Sequence, residues 1–209
     1  MGAAAEAVRT HRQGLARVKR RRVQIVALCE DKQQEFFVRH FLLAMGWGKK
    51  RWAAIRYETS PSGKGAASGW VLQSFPKELQ YYRQHKNKVA SALIVMIDAD
   101  NQRVETRIKS LEDHCTRIGL PFRTQEEAVA IAVPKRNIET WIAYLEGCDV
   151  DEGQDYKAMG KAMVIDCRSC ISNLASACKA KALPPGAPDS LAMACREYRT
   201  RIVPMQDYP

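Results

Sequence analysis

Leu93-Ile94-Val95-Met96-Ile97-Asp98-Ala99-Asp100 is an apolar run that stops on two carboxylates. Five consecutive apolar residues ahead of an acid read as a buried strand that delivers charge to the edge of a sheet. Side chains alternate along a strand, so the spacing predicts that Asp98 and Asp100 point the same way. Carboxylates beside a hydrophobic core carry a large desolvation cost unless they are paired, and a divalent cation held by oxygen ligands at the carboxyl end of the strand offsets it. The stretch therefore points to a hard-metal site.

Working outward, Val23 to Cys29 is a second β-branched and apolar run, with Cys29 expected to pack at the strand end. Glu30 and Asp31 follow at once, then Phe36, Phe37, Phe41, Leu42 and Met45, a helical pattern that Gly46 and Gly48 close. Lys50 to Glu58 predicts another strand, Ser60-Pro61-Ser62-Gly63-Lys64-Gly65 a turn-rich loop, and 68–85 a helix. A polar helix over 102–118 is closed by Gly119 and Pro121. Val129 to Val133 is the fourth strand, and Pro134, Lys135 and Arg136 are expected in the opening turn of a helix. Its Ile138, Trp141, Ile142 and Leu145 recur at helical spacing.

Four strands alternating with helices predict an α/β fold, a compact, mostly parallel four-stranded sheet flanked by helices. Beyond Gly147 the composition changes to an acidic patch of Asp149, Asp151, Glu152 and Asp155, then short helices separated by Leu183-Pro184-Pro185-Gly186-Ala187-Pro188. The expected organisation is a basic arm over 1–22, an α/β domain over 23–149 and a C-terminal helical extension over 150–209.

The 209 residues are 46% hydrophobic, enough for one full core plus an appendage, and no stretch is long and apolar enough to span a membrane. The net charge of +10 implies a polyanionic partner. Much of that excess sits in the first 22 residues, where Arg9, Arg12, Arg17, Lys19, Arg20, Arg21 and Arg22 face the single Glu6. The arm reads as a phosphate-binding segment or a solvated tail; an Ala- and Arg-rich transit peptide is the other reading, while a secretory signal would need an apolar core it lacks. Seven cysteines at irregular spacing do not look like a disulfide framework and suit a reducing, cytoplasmic location. Cys167 and Cys170 form one CxxC, but the second pair of a structural zinc site is missing.

In an open parallel sheet ligands bind outside the carboxyl ends of the strands, where strand order reverses. If the first and third strands are neighbours, Glu30, Asp98 and Asp100 meet within reach of one or two Mg²⁺ or Mn²⁺ ions. Glu35, about one turn into the first helix, either faces the same place or is solvated. Lys135 and Arg136 at a helix start could hold a phosphate while Glu139 holds a metal; the alternative is ordinary Lys135–Glu139 pairing along the helix. Gly63-Lys64-Gly65 has too few positions for a P-loop, yet Lys64 could add charge beside a phosphate if the turn is not merely a surface loop. Trp47, Trp70 and Trp141 read as core; Trp52 beside Lys49, Lys50 and Arg51 could stack on a base. Histidines 11, 40, 85 and 114 show no metal-ligand spacing, and no nucleophile elbow stands out.

Glu30 after the first strand and Ile97-Asp98-Ala99-Asp100 after the third resemble the Toprim fold of topoisomerases, primases and nucleases of the overcoming-lysogenization-defect type. The resemblance covers about Val23 to Leu145. It implies Mg²⁺ bound by the first-strand glutamate and the DxD pair. Many Toprim proteins carry glycine directly after that glutamate, where this chain has Asp31. With no tyrosine-bearing topoisomerase domain and no primase zinc or polymerase region, the nuclease branch fits best. Small proteins of this kind resemble components of anti-phage defence or mobile-element systems that act alongside an ATPase, which the resemblance implies as a partner.

The expectation is thus a Mg²⁺- or Mn²⁺-dependent nuclease acting on DNA or RNA. In it Glu30, Asp98 and Asp100 hold metal, Glu35 and Glu139 are further ligands, and Lys135 or Arg136 steadies the phosphate. A non-catalytic Toprim-like subunit that binds nucleic acid or an ATPase is the alternative. A DxD nucleotide-sugar transferase would leave Glu30 without a role, and a haloacid-dehalogenase-like phosphatase would carry its DxD on the first strand.

Overall fold

The computed structural model describes residues 24–48, 54–61, 66–87, 91–158 and 167–205. The basic arm, Lys64 and the Lys49–Trp52 cluster lie outside the described residues.

Four strands, β1 (Gln24–Cys29), β2 (Ala54–Thr59), β3 (Ser91–Met96) and β4 (Val129–Ala132), form one sheet in the order β2-β1-β3-β4. All three pairings are parallel. The register sets Thr59, Cys29, Met96 and Ala132 in one row, so the four carboxyl ends share one edge. The chain leaves β1 for β2 on one side and returns to β3 on the other, which makes the β1–β3 boundary the point where strand order reverses. β1 and β3 are apolar almost throughout because both of their faces are covered.

Helices α1 (Lys32–Ala44), α2 (Ala67–His85), α3 (Val104–Thr116), α4 (Ile138–Leu145), α5 (Arg168–Ala180) and α6 (Asp189–Arg201) flank the sheet, and a 3₁₀ turn follows at Val203–Met205. α2 packs on the sheet with α3 against it, α1 packs on β1 and β2, and α6 lies along β4. Gly46 ends the α1 segment with φ +94°, a conformation only glycine adopts cheaply. The C-terminal helices share the sheet's core: Ile171, Leu174, Leu191, Tyr198 and Ile202 are buried in one cluster with β1, β3 and β4. They also close the outer edge of β4, where Ile131 N–H donates to Glu197 at 3.2 Å and Arg123 donates to the Val129 carbonyl at 2.5 Å.

Three expectations are corrected. Regular β3 ends at Met96, and the two acids lie beyond it in a loop where Asp100 takes φ +56°, so strand alternation does not govern how Asp98 and Asp100 point. Pro134, Lys135 and Arg136 precede α4 rather than open it, because Asn137 is the N-cap, accepting from Thr140 N–H. Cys178 of α5 and Cys195 of α6 pair as a disulfide, their Cα atoms 5.5 Å apart; this pairing depends on helix packing, which spacing along the chain does not disclose. Cys29 and the Trp47 and Trp141 side chains are buried as expected.

Candidate functional site

Glu30 is the first residue after β1 and Asp98 the second after β3, and the register brings them together. Glu30 Oε1 accepts a hydrogen bond from the Asp98 backbone N–H at 2.8 Å. Both residues are buried, 9% and 6% exposed. Gln34, fully buried on the first turn of α1, spans the pair: its Oε1 accepts from Glu30 N–H and its Nε2 donates to Asp98 Oδ1, each at 2.9 Å. The amide orientation follows from chemistry, since a backbone N–H needs an acceptor and a carboxyl oxygen takes a donor.

Asp31 has extended backbone (φ −145°) and caps α1 by accepting from Gln33 N–H and Gln34 N–H. No left-handed turn is required there, so glycine is not needed. The cap fixes the first turn of α1, and with it the Gln34 bridge.

The Asp98–Asp100 loop is stitched to the β4–α4 connection. Ala99 N–H donates to the Pro134 carbonyl at 2.9 Å and Asp100 N–H to the Arg136 carbonyl at 3.1 Å. Lys135 is exposed on that connection, and Arg136 donates to Asn101. Lys135 forms no ion pair with Glu139 among the described residues; its backbone N–H donates to Ser190 Oγ at 3.3 Å. Glu139 stands half-buried at the start of α4. Asn137 is held in turn by Asp155 at 2.9 Å, which gives part of the acidic patch a place beside this edge.

Charge is crowded here. Burial pushes the Glu30 carboxyl up to about 7, opposed by the Asp98 N–H and the Arg107 charge and aided by Asp100 and Asp31. Burial first, then Glu30, Asp31, Glu139 and Asp100, raise Asp98 well above the carboxylate range. Burial, Asp31 and Asp155 raise Glu139, which Lys157 partly counters. The donors are all carboxylate oxygens, the chemistry that hard divalent ions accept, and after burial the next cause of the raised Asp98 carboxyl is the neighbouring acids, whose charge a cation would offset. The fit is one of charge and donor type. Among the described residues, no group of three or more His, Cys, Asp or Glu side chains is disposed to hold an ion as it stands.

Two acids are engaged elsewhere. Asp100 Oδ2 accepts from Arg107 Nη2 at 2.9 Å. Glu35 gives one oxygen to Lys32 at 2.7 Å and the other to Arg39 at 2.6 Å, and these cations hold its carboxyl below the usual range. The residues that sequence reading missed are Gln34, Arg107 and the capping role of Asp31. Gln34 meets Asp98 across 64 positions, beyond any local pattern. Exposed cations also stand at this edge: Lys32 opens α1 beside Glu35, and Arg103 precedes α3 with Glu105 at 3.6 Å.

Other hollows are unlike this edge. A largely apolar hollow of about 50 Å³ beneath the sheet is lined by such residues as Phe41, Met96, Leu174 and Leu191. Near the CxxC, burial pushes the Cys167 thiol up to about 12, with Cys170 beside it. Among the described residues no helix is long and apolar enough to cross a membrane.

Comparison with protein-family models, curated proteins and solved structures returns no match for this chain.

Proposed function

We propose that the chain is a Toprim-like, Mg²⁺- or Mn²⁺-dependent phosphodiesterase acting on nucleic acid. The observation that carries this reading is the convergence of Glu30 and Asp98, from separate strands, as buried neighbours at the point where strand order reverses. Glu139, in the first turn of α4, would supply a further carboxylate, and Asp100, on the loop after β3, another once free of Arg107. A bound divalent ion would supply an activated water and neutralise charge developing on the phosphoryl oxygens. The protein's part is to hold Glu30 and Asp98 in fixed relation through Gln34, and to present Lys135, Lys32 and Arg103 at the rim, where a polyanion's phosphates neutralise them.

The test is incubation of the purified chain with Mn²⁺ or Mg²⁺ and single- and double-stranded DNA and RNA. Metal-dependent cleavage is expected, falling by more than about 100-fold in Asp98→Asn and Glu30→Gln, beyond the usual range for outer-shell partners of a metal ligand. Absence of cleavage on all four substrates with both ions overturns it.

The Asp100–Arg107 pair favours a second reading, a subunit that binds nucleic acid or a partner ATPase without turnover. Salt-sensitive binding of nucleic acid with no cleavage at any ion concentration selects it.

A further inference from the structure

Arg107 lies on α3, only 5% exposed, and reaches back to the acidic loop. Its Nη2 donates to Asp100 Oδ2 at 2.9 Å and reaches the Ala99 carbonyl at 3.5 Å, while its Nε is buried with no hydrogen-bond partner. A buried guanidinium with an unused donor is costly, so the arrangement is held by the charge it faces. That charge is Asp100, whose backbone is in the left-handed region, uncommon for a residue with a side chain. One guanidinium therefore neutralises the acidic loop from inside the protein, and Asp100 is turned to it rather than gathered with Glu30 and Asp98.

We infer that Arg107 is a positioning residue that acts as the resident counter-cation of this site: it occupies Asp100, and a divalent ion binds in competition with that hydrogen bond. The inference rests on the metal-dependent reading above and states how the same site is regulated. Divalent-ion binding is coupled to release of Asp100 from Arg107, which sets the ion affinity lower than the carboxylates alone would give. Removing the guanidinium removes a positive charge and a competitor together, so ion affinity rises. A residue that merely supported Asp100 as a ligand would have the opposite effect, because its loss would disorder the loop and weaken binding.

The experiment is titration of the full chain with Mn²⁺ alone, followed by electron paramagnetic resonance of the free ion, for wild type, Arg107→Gln, Arg107→Lys and the double variant Arg107→Gln with Asp100→Asn. Arg107→Gln is expected to bind Mn²⁺ roughly tenfold more tightly, the order of one charge-assisted hydrogen bond. Arg107→Lys stays near wild type, and the double variant loses the gain. A second measurement needs no variant: on saturation of wild type with Mg²⁺, the Arg107 Nε–H resonance in a ¹H–¹⁵N spectrum is expected to shift or lose protection from solvent exchange. Unchanged or weaker Mn²⁺ binding by folded Arg107→Gln, or an unmoved Nε–H signal in Mg²⁺-bound wild type, overturns the inference and leaves the metal reading standing. Failure of wild type and every folded variant to bind either ion overturns both.

Discussion

Gln34 shows how one neutral side chain can organise two acids. Its amide gives Glu30 N–H an acceptor and Asp98 a donor, so neither buried group is left bare. Truncation by Gln34→Ala strands both, and each unsatisfied buried group costs about 1–3 kcal/mol. Urea denaturation should therefore show a loss on the order of 2 kcal/mol or more, with Gln34→Glu worse still because it replaces the amide donor to Asp98 with a third buried carboxyl. Sequence reading located Glu30 and Asp98 because an apolar run ending on an acid is a local signal. It passed over Gln34 and Arg107 because their partners are set by α1 and α3 meeting loops from other parts of the chain. Glu35, the acid it placed one turn into the helix, spends both oxygens on Lys32 and Arg39, a pairing that i,i+3 and i,i+4 spacing does make legible.

At the scale of elements, α2 and α3 start at Ala67 and Val104, close to the 68 and 102 that the pattern predicts, whereas α4 starts later than Pro134 suggests. Val129 to Val133 reads as a strand and Val129–Ala132 is observed, whereas Pro134 reads as a first-turn residue of α4 although the helix begins at Ile138 behind its Asn137 cap. The structure spends Pro134 on a backbone bond to the acidic loop instead. α6 then ties this connection down. Ser190 Oγ accepts from Trp141 Nε1 at 2.8 Å and from Lys135 N–H at 3.3 Å, and donates to Glu152. Ser190→Ala leaves the buried Trp141 N–H without an acceptor, and a destabilisation of about 1–3 kcal/mol is expected. Loosening of the Lys135 connection should accompany it, read as faster amide exchange at Lys135 with little change at β1. Equal exchange rates in both proteins would show that Ser190 does not anchor that loop.

For the whole molecule, buried acids and paired acids pull stability in opposite directions with pH. Glu30, raised to about 7, keeps a proton in the fold that the unfolded chain releases near its ordinary value of 4.5. Stability from that proton is full below 4.5 and is lost as pH rises through about 7, worth on the order of 3 kcal/mol. Asp98 acts in the same direction. Glu127 does the reverse: burial alone would raise it, but bonds from Arg83 at 2.7 and 2.9 Å and from Thr124 N–H hold it low, so its contribution is lost on acidification. Because a divalent ion takes the ionised acids, added Mg²⁺ is expected to raise the melting temperature more at about pH 8 than at about pH 5. Thermal melts across that range with and without the ion check it, and a pH-independent increment contradicts it.

β1, the earliest described strand, is an inner one, flanked by β2 and by β3, whose Ser91 aligns with Gln24. During synthesis one margin of β1 stays bare until that distant partner has been made, so covering it requires closure of a long loop. The docking that sheathes β1 also carries Asp98 to Glu30. Covering of the second margin of β1 and birth of the acid pair thus coincide, and a chain in which β3 is undocked has neither.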